Sequence, residues 1–313
     1  MGQLDGRIVV VTGGGRGLGR SHALLLAAEG ARVVVNDLGA GLDGQGGDGG
    51  PAHDVVDEIV AAGGEATADG SDISTREGAA ALVARAVSTY GRLDVVVNNA
   101  GILRDAPISR LSYDDWDAVL GVHLRGHFAV VREAVDHWRP RAKAGEDVRA
   151  SVINTVSASG TTHVLPGQAA YAAAKSGIAA FTQVAAAELG RIGVRVNAVS
   201  PGARTRMTAS TPGEIGELMA RPVPAGELDV FSPDNAAPLV AHLAAADTAI
   251  TGRVFAVRGG LIEELLPWSV RPGWELTHDH NWTTGLVARG IQEQDALAAP
   301  DRGFVADRTG AHA

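Results

Sequence analysis

Cysteine is absent from the 313-residue sequence, and this absence excludes disulfides, thiolate metal sites and a cysteine nucleophile together. Basic residues are the minority charge, 27 against 36 acidic residues, and a net charge of −9 argues against a general binder of nucleic acid. No uninterrupted apolar run approaches the ~20 residues of a membrane span. The N-terminal residues also lack the pattern of a secretory signal. We therefore expect a cytoplasmic protein that binds neither nucleic acid nor a membrane.

Histidine occurs ten times, but no cluster of histidines has the spacing of metal ligands. His278 and His280 lie two residues apart, and a structural or solvated role is the simpler interpretation for them. We therefore expect no metal site.

Short runs of valine and isoleucine alternate with longer alanine- and leucine-rich segments up to about residue 260. Strands without a polar face are buried on both sides, and the intervening helices supply the crossovers of a parallel sheet. The pattern predicts one α/β domain over residues 1–260, a doubly wound parallel sheet of the Rossmann type in three α/β/α layers. The predicted strands are 7–11, 32–35, 93–97, 151–155, 195–199 and 253–257, and the predicted helices are 17–29, 54–62, 76–90, 114–137, 171–191 and 233–245.

Two segments depart from this alternation. Residues 39–50 contain seven glycines and are expected to form a mobile surface excursion after the second strand. Residues 261–313 hold three of the five tryptophans, Trp268, Trp274 and Trp282, although aromatic residues make up only 4% of the chain. We expect this C-terminal extension to pack on the domain or on a neighbouring subunit, with a frayed end beyond about residue 290.

A glycine-rich turn follows the first predicted strand and opens the first predicted helix, with the sequence TGGGRGLG over residues 12–19. Glycines at these positions allow a tight turn and let the backbone approach a pyrophosphate at the helix N-terminus. A plain glycine-rich turn is the alternative, because a single motif of this kind is weak evidence. We assign cofactor contacts to Gly13, Arg16, Gly17, Leu18 and Gly19.

Asp37 ends the second predicted strand, close to the distance of ~20 residues at which dinucleotide-binding folds place the acid for the adenine ribose. A carboxylate there accepts hydrogen bonds from the 2′ and 3′ hydroxyls and repels a 2′-phosphate. The cofactor is therefore predicted to be NAD rather than NADP, although Arg16 is able to reach a phosphate. A solvated aspartate at the end of a strand is the alternative interpretation.

Tyr171 and Lys175 lie four residues apart at the beginning of a predicted helix, so the phenol and the ammonium share one helical face. A free tyrosine has a pKa of about 10, and a fixed cation beside it favours the phenolate. Tyr171 is thereby predicted to exchange a proton with an alcohol or a ketone. Ser157, near the end of the fourth predicted strand, is placed to hydrogen-bond the same oxygen. Taken alone, such a pair is more often an ordinary surface pair.

Five motifs occur in a fixed order: the glycine turn, Asn98-Asn99-Ala100-Gly101, Ser157, Tyr171 with Lys175, and Ser200-Pro201-Gly202. In this combination the chain resembles the classical short-chain dehydrogenases/reductases over residues 1 to about 260. The resemblance implies that Tyr171 is the general acid/base, that Lys175 lowers its pKa and holds the nicotinamide ribose, and that Ser157 orients the substrate oxygen.

The same resemblance implies further cofactor contacts along the cleft. These are Asp72 and Ile73 beside the adenine, Asn99, Ala100 and Gly101 in the floor of the cleft, and Pro201, Gly202 and Thr205 at the nicotinamide end.

His123, in the segment VHLRG, stands where this family usually has the asparagine of its proton relay. An imidazole is able to hold a water there, so His123 is a candidate catalytic residue. This segment, with NDLG, GILRD and DWD elsewhere in the chain, is similar to the (3R)-hydroxyacyl-CoA dehydrogenase domain of peroxisomal multifunctional enzyme type 2. The interval between Ser157 and Tyr171 is one residue longer than expected, which predicts a reshaped substrate loop at residues 160–167 and makes Ser159 a rival of Ser157.

Together these residues predict an NAD-dependent dehydrogenase that oxidises a (3R)-hydroxyacyl-CoA, including one with a bulky or steroid-derived acyl group, to the 3-oxoacyl-CoA. One alternative is a hydroxysteroid or other secondary-alcohol dehydrogenase, and another is a dinucleotide-binding sensor without catalysis. Candidate substrate contacts, with solvated or ion-paired roles as the alternative, are His163, Arg104, Arg110, Arg125, Arg204 and Arg206. The resemblance implies a homodimer or homotetramer through the helices at 114–137 and 171–191.

Overall fold

The computed structural model describes residues 2–41, 44, 46–47, 49–209, 214–224, 226–266, 268, 275–277, 279 and 281–297. The chain divides into two compact units, Met1–Leu265 and Leu266–Ala313. Three residues singled out from the sequence lie outside the described residues, namely Trp274, His278 and His280.

The first unit contains a sheet of eight strands. Its strands are β1 (Ile8–Thr12), β2 (Arg32–Asn36), β3 (Glu65–Asp69), β4 (Val95–Asn98), β5 (Ala150–Thr155), β6 (Val194–Pro201), β7 (Val254–Arg258) and β8 (Leu261–Leu265). The order across the sheet is β3-β2-β1-β4-β5-β6-β7-β8, and neighbouring strands are parallel except β7 and β8. The prediction of a doubly wound parallel sheet is confirmed, and the structure adds β8, which pairs antiparallel with β7.

Helices connect these strands. They are α1 (Gly17–Ala28), α2 (Gly50–Ala61), α3 (Arg76–Tyr90), α4 (Tyr113–Leu120), α5 (Gly126–Lys143), α6 (Ala169–Leu189), α7 (Arg206–Ala209), α8 (Glu214–Ala220) and α9 (Ala237–Ala244). A π-helical turn at Gly121–Arg125 joins α4 to α5, and 3-10 turns cover Gly190–Ile192 and Pro233–Ala236.

Apolar cores lie on both faces of the sheet because its central strands have no polar face. Every residue of β1, β4 and β5 is buried. Val11 belongs to the core that includes residues of α1, α2 and α9, whereas Val10 belongs to the core that includes residues of α3, α5 and α6. Successive residues of one strand thus enter opposite cores, as the two-residue period of a strand requires.

Two local predictions differ from the structure. The sequence does not predict β3, because EATAD has no run of branched residues; the strand lies at the sheet edge, where only Asp69 is buried. The helix predicted over residues 114–137 is two helices separated by the π-helical turn. β8 begins one residue after the predicted domain boundary and pairs antiparallel with β7.

The topology brings the candidate site residues to one edge of the sheet. The strand order reverses between β1 and β4, and ligands of doubly wound folds bind at the carboxyl ends of the strands beside such a switch point. The glycine turn, Asp37, Asn99 and Ser157 follow β1, β2, β4 and β5 respectively.

The second unit contains α10 (Thr284–Leu297). The helix is capped by Thr283, whose hydroxyl oxygen accepts a hydrogen bond from the Leu286 N–H at 3.3 Å. The Gln294 side chain donates to the Glu275 carbonyl oxygen at 2.9 Å. The helix continues through Gly290, from which the sequence predicts a frayed end, to Leu297.

Candidate active site

Several glycines of the turn after β1 leave no room for a Cβ atom. A Cβ atom at Gly19 would lie 2.0 Å from the Gly13 carbonyl oxygen, and one at Gly13 would lie 2.8 Å from the Ala100 Cα. Gly13 and Gly17 have positive φ values of 61° and 51°, which glycine adopts at little cost. The turn therefore presents bare backbone at the N-terminus of α1, the geometry that binds a phosphate.

Asp37 is held in place by backbone amides at the end of β2. One carboxylate oxygen accepts from the Gly15 N–H at 3.0 Å, and the other accepts from the Gly39 N–H at 2.8 Å. Each carboxylate oxygen has a second lone-pair site for a ribose hydroxyl. The guanidinium of Arg16 donates to the Ala40 carbonyl oxygen at 3.2 Å, so it supports the loop after Asp37.

Asn99 ties the turn after β4 to the turn after β1. Its side-chain amide donates to the carbonyl oxygens of Thr12 and Gly13, both at 3.1 Å. The Thr12 hydroxyl oxygen accepts from the backbone N–H groups of Asn99 and Ala100 at 2.9 and 3.1 Å. Thr12 was not assigned a role from the sequence, although it directly precedes the glycines.

The structure brings Ser157, Tyr171 and Lys175 to one cavity. Lys175 is 2% exposed, and its ammonium donates to the Thr155 carbonyl oxygen at 2.6 Å. The same ammonium lies 5.6 Å from the centroid of the Tyr171 ring. Burial lowers the pKa of Lys175 to about 7, because water no longer solvates the ammonium.

The pKa of Tyr171 is raised above its ordinary value, mainly because burial disfavours the phenolate. A hydrogen bond with Ser157 acts in the opposite direction, and the negative charge of Asp105 adds to the increase. The sequence-based expectation that Lys175 lowers the pKa of Tyr171 stays a prediction, because burial of the phenol is the largest influence on that pKa. The burial that brings the two groups together penalises both of their charged forms.

His123 lies in the π-helical turn and is 1% exposed. Its Nε2 lies 2.8 Å from the Ile102 carbonyl oxygen, and the Ile102 N–H points to the same nitrogen at 3.1 Å. The ring meets the Tyr171 ring edge to face, with centroids 5.2 Å apart. Burial and the charge of Lys175 lower the pKa of His123 to about 3, so the imidazole is neutral at physiological pH and holds the Ile102 backbone.

A second buried histidine, His127, lies one turn beyond His123 and is 0% exposed. Both ring nitrogens of His127 lack a hydrogen-bond partner among the described residues. The same is true of His123 Nδ1 and Asn98 Oδ1. Asn98 donates to Asn154 at 3.0 Å, and Asn154 donates to Thr182 at 2.9 Å. The sequence analysis missed this polar layer, although a second histidine four residues after His123 was a usable signal.

Most of the remaining assigned residues line one cavity of about 780 Å³. Those in its lining are Gly13, Arg16, Gly17, Leu18, Asp37, Asp72, Ile73, Asn99, Ala100, Gly101, His123, Pro201 and Thr205. Two assigned residues, Gly19 and Gly202, do not line the cavity. Gly19 packs on Gly13, and the Gly202 N–H donates to the Val257 carbonyl oxygen at 2.8 Å. Both therefore support residues of the cleft without being exposed in it.

The candidate substrate residues differ in their surroundings. Arg104 pairs with Asp115 at 2.7 Å and Arg204 pairs with Asp229 at 2.8 Å, so both guanidinium groups are engaged within the chain. Arg206 is exposed and lines the cavity. Exposed positions that do not line it are Arg110, Arg125 and His163.

Ser159, the rival of Ser157, is 3% exposed and does not line the cavity. Its backbone N–H donates to the Ser157 hydroxyl oxygen at 3.2 Å. Ser157 therefore faces the cavity, while Ser159 supports it from below.

Within the described part of the chain, no helix is both long and apolar enough to cross a membrane. The same residues contain no group of three or more histidines and acids that is arranged to hold a metal ion.

Residues 7–214 match the short chain dehydrogenase family. The chain is 46% identical to hydroxyacyl-CoA dehydrogenase ChsB1 of Mycobacterium tuberculosis over 271 residues, which are 84% of this chain and 81% of that protein. It is 40% identical to peroxisomal multifunctional enzyme type 2 of Mus musculus over 263 residues, 84% of this chain and 33% of that protein. The crystal structure of a short chain dehydrogenase from Mycobacterium avium superposes with a TM-score of 0.82 at 47% identity and covers 96% of this chain and 98% of that one.

Proposed function

The chain belongs to the short-chain dehydrogenase family and is an oxidoreductase that acts on a CH–OH group, and we propose that it oxidises a (3R)-hydroxyacyl-CoA to the 3-oxoacyl-CoA with NAD. The observation that carries the proposal is the single cavity lined by Asp37 at one end and by Ser157, Tyr171 and Lys175 at the other. Two relatives support the substrate class, one named a hydroxyacyl-CoA dehydrogenase and one a peroxisomal multifunctional enzyme.

The family binds a nicotinamide dinucleotide, and the residues present fit this group. The turn at Gly13 and Gly17 fits the pyrophosphate because it exposes backbone at the N-terminus of α1. Glycine is needed at Gly13 because a Cβ there would collide with the Ala100 backbone. The fixed carboxylate of Asp37 supports NAD rather than NADP, because it accepts hydrogen bonds from a diol and repels a phosphate. When bound, the dinucleotide supplies the hydride acceptor.

Side chains of this protein carry out the proton transfer. Ser157 hydrogen-bonds the hydroxyl of the substrate, and the Tyr171 phenolate removes the hydroxyl proton as the carbonyl forms. The Lys175 nitrogen lies 5.6 Å from the centroid of the tyrosine ring, and in its protonated form it favours the phenolate. His123 stays neutral and keeps the Ile102 backbone in place beside the tyrosine.

The experiment is a spectrophotometric screen for NADH formation from 3-hydroxyacyl-CoAs of increasing acyl size. We expect turnover with the (3R) substrates, and the matched (3S) enantiomers are the controls. Oxidation of the (3S) series alone, or of no thioester at all, would contradict the proposal. A protein that binds NAD but oxidises no alcohol would be a sensor rather than an enzyme.

A secondary-alcohol dehydrogenase for bulky apolar substrates, such as hydroxysteroids, is a second candidate function. The loops at residues 103–112 and 160–167 are joined by a hydrogen bond from the Ala106 N–H to the Gly167 carbonyl oxygen at 2.9 Å. They carry two exposed apolar side chains, Ile108 at 81% and Val164 at 65%. Comparing free steroid alcohols with their CoA thioesters in the same screen separates the two candidates.

We propose in addition that the chain forms a homodimer or homotetramer through α5 and α6. Phe128 and Phe181 lie edge to face with centroids 6.3 Å apart, and Val184 is more than half exposed on the same helix as Phe181. Exposed apolar side chains on two adjacent helices favour a covered face. Sedimentation analysis should give an oligomer that Phe128→Glu dissociates; a monomeric wild type contradicts the proposal.

A further inference from the structure

The segment that follows β6 extends to the glycine turn after β1. A Cβ atom at Gly17 would lie 3.4 Å from the Thr205 Cγ2, so the Thr205 methyl group lies beside the first residue of α1. Arg206 is the next residue and the first of α7, and it lines the same cavity as Gly17. The backbone that carries Arg206 therefore lies near the N-terminus of α1, while its exposed position places it at the rim of the cavity.

Hydrogen bonds fix the main chain on both sides of Arg206. The Thr205 N–H donates to the Thr208 hydroxyl oxygen at 2.8 Å, and the Thr208 N–H donates to the Thr205 hydroxyl oxygen at 3.2 Å. This reciprocal arrangement is that of a capping box. On the other side, Arg204 pairs with Asp229 at 2.8 Å. The segment thus holds the backbone of Arg206 in place and leaves its side chain outside these bonds.

Lysine and arginine side chains line the cavity at five positions. They are Arg16, Arg20, Lys175, Arg204 and Arg206. Arg20 pairs with Glu58 at 2.7 Å, Arg16 and Lys175 donate to backbone carbonyl oxygens, and Arg204 pairs with an aspartate. Among the described residues, the Arg206 side chain has no hydrogen-bond or ion-pair partner. Within this part of the chain, Arg206 is therefore the cavity cation whose donors are all available to an anionic ligand.

We propose that Arg206 binds the diphosphate of the dinucleotide, which would then lie between the backbone of the glycine turn and this guanidinium. The inference rests on the binding of a nicotinamide dinucleotide and not on the hydroxyacyl-CoA substrate proposed above.

Charge and geometry support this assignment. A diphosphate carries full negative charges, whereas the N–H groups of a helix N-terminus offer only partial positive charges. The chain as a whole has a net charge of −9, so a local cation is needed to offset the repulsion. A guanidinium supplies that charge together with planar paired donors that match phosphate oxygens.

CoA also carries a diphosphate, so the substrate is a second source of the same group. The position of Thr205 beside Gly17 favours the diphosphate of the dinucleotide, because Gly17 opens the helix whose N-terminus faces that group in the proposed complex. Binding measurements with the two ligands separately distinguish the sources.

The main experiment is calorimetry of NAD and ADP-ribose, with adenosine measured by competition, and it requires no turnover. Arg206→Gln should weaken the binding of NAD and of ADP-ribose about tenfold each, because both contain the diphosphate. The affinity for adenosine, which has no phosphate, should stay within twofold of the wild type. The loss for NAD should shrink in high salt, because salt screens an exposed charge.

Arg191→Gln is the matched control. Arg191 is exposed and precedes β6 at its amino end, whereas Arg206 follows the same strand at its carboxyl end. The two substitutions make the same change in net charge, but Arg191 does not line the cavity. Arg191→Gln should leave the affinities for all three ligands unchanged.

Two further variants separate charge from position. Arg206→Lys keeps the charge without the paired donors and should recover part of the affinity for NAD. Thr208→Val removes the hydroxyl of the capping box at similar volume and should weaken NAD binding by a smaller factor than Arg206→Gln. Thermal unfolding of each variant shows whether the fold is intact.

Calorimetry with CoA completes the test. The proposal is overturned if Arg206→Gln weakens the binding of CoA but leaves NAD and ADP-ribose at the values of Arg191→Gln, since the guanidinium would then serve the substrate. Equal losses for adenosine and NAD would also overturn it, because they would show structural damage. If Arg206→Gln weakens NAD as expected and the wild type oxidises no hydroxyacyl-CoA, the proposed substrate fails and this inference stands.

Discussion

The two ends of the cavity are lined by different kinds of chemical group. The end that we propose for the adenosine, called the adenosine end below, consists of glycine backbone, amide donors and one carboxylate held by two N–H groups, Asp37. The end that we propose for catalysis, called the catalytic end, consists of buried ionisable side chains, with Lys175 and His123 almost fully removed from solvent. A backbone site depends on the absence of side chains, whereas the catalytic site depends on what burial does to proton affinity. The two ends should therefore respond to different perturbations.

The largest expected effect separates chemistry from binding. Tyr171→Phe removes the hydroxyl that takes the proton and leaves the ring, so turnover should fall on the order of 10³-fold. NAD affinity, measured by calorimetry, should change less than threefold because the adenosine end is untouched. If the variant kept full activity, the division of labour between the two ends would be wrong.

Acid should destabilise the protein through its buried neutral histidines. Burial lowers the pKa of His22 to about 4 and of His123 to about 3, and it lowers the pKa of His127 as well. The unfolded chain, with a histidine pKa of about 6.5, binds protons first as the pH falls, so stability present above pH ~6.5 is lost toward pH ~4. Within this pH range, each of these histidines should lower the free energy of unfolding by about 1.4 kcal/mol for every pH unit of acidification.

Urea unfolding between pH 6.5 and 5 measures that slope. His22 lies on α1 and does not line the cavity. His22→Gln should therefore reduce the pH dependence of the unfolding free energy by about 1.4 kcal/mol per pH unit and leave the part contributed by His123 and His127 unchanged. An unchanged slope in this variant would show that His22 does not resist protonation in the folded state.

A single methyl group should damage the adenosine end. In Gly19→Ala the Cβ would meet the Gly13 carbonyl oxygen, and we expect a loss of about 2 kcal/mol in the free energy of unfolding together with weaker NAD binding. Gly190→Ala is the matched control, because its Cβ would meet nothing within 4 Å. Thermal unfolding and NAD titration of both variants check the expectation, which equal effects in the two variants would contradict.

The smallest expected effect concerns coenzyme choice. Asp37→Ser removes the charge that repels a 2′-phosphate, so the ratio of kcat/KM for NAD to that for NADP should fall about tenfold, or ~1.4 kcal/mol. Asp57→Ser makes the same charge change at an exposed position of α2 and should leave the ratio unchanged. Equal ratios for the wild type and Asp37→Ser would remove Asp37 from its assigned role.

The adenosine end was the more predictable of the two from sequence. Its glycines, Asp37 and Asn99 act through local backbone geometry and through their place after particular strands, both of which a sequence displays. The fold followed for the same reason, since runs such as IVVVT and VVVN report burial directly. The sequence did not predict β3 because a strand at the edge of the sheet needs no run of apolar residues.

The catalytic end was only partly predictable. The spacing of Tyr171 and Lys175 indicated a shared face, but the net pKa of the tyrosine depends on how deeply both are buried and on Asp105, which lies 66 positions earlier in the chain. His123 was expected to act as a relay residue, and the structure places its Nε2 on the Ile102 backbone. His127 received no role, although it follows His123 by about one helical turn, because its complete burial is visible only in the structure.

The sequence by itself determined the alternation of strands and helices, the bare phosphate turn and the identity of the tyrosine, lysine and serine. These properties depend on period, residue size and chemical type within a few neighbouring positions. Only the tertiary structure decided that Lys175 is buried with a pKa of about 7, that His123 is neutral, and that the loop carrying Asp105 is anchored to α6. Proton affinity follows solvent exposure and nearby charge, and both arise when segments far apart in the chain pack together.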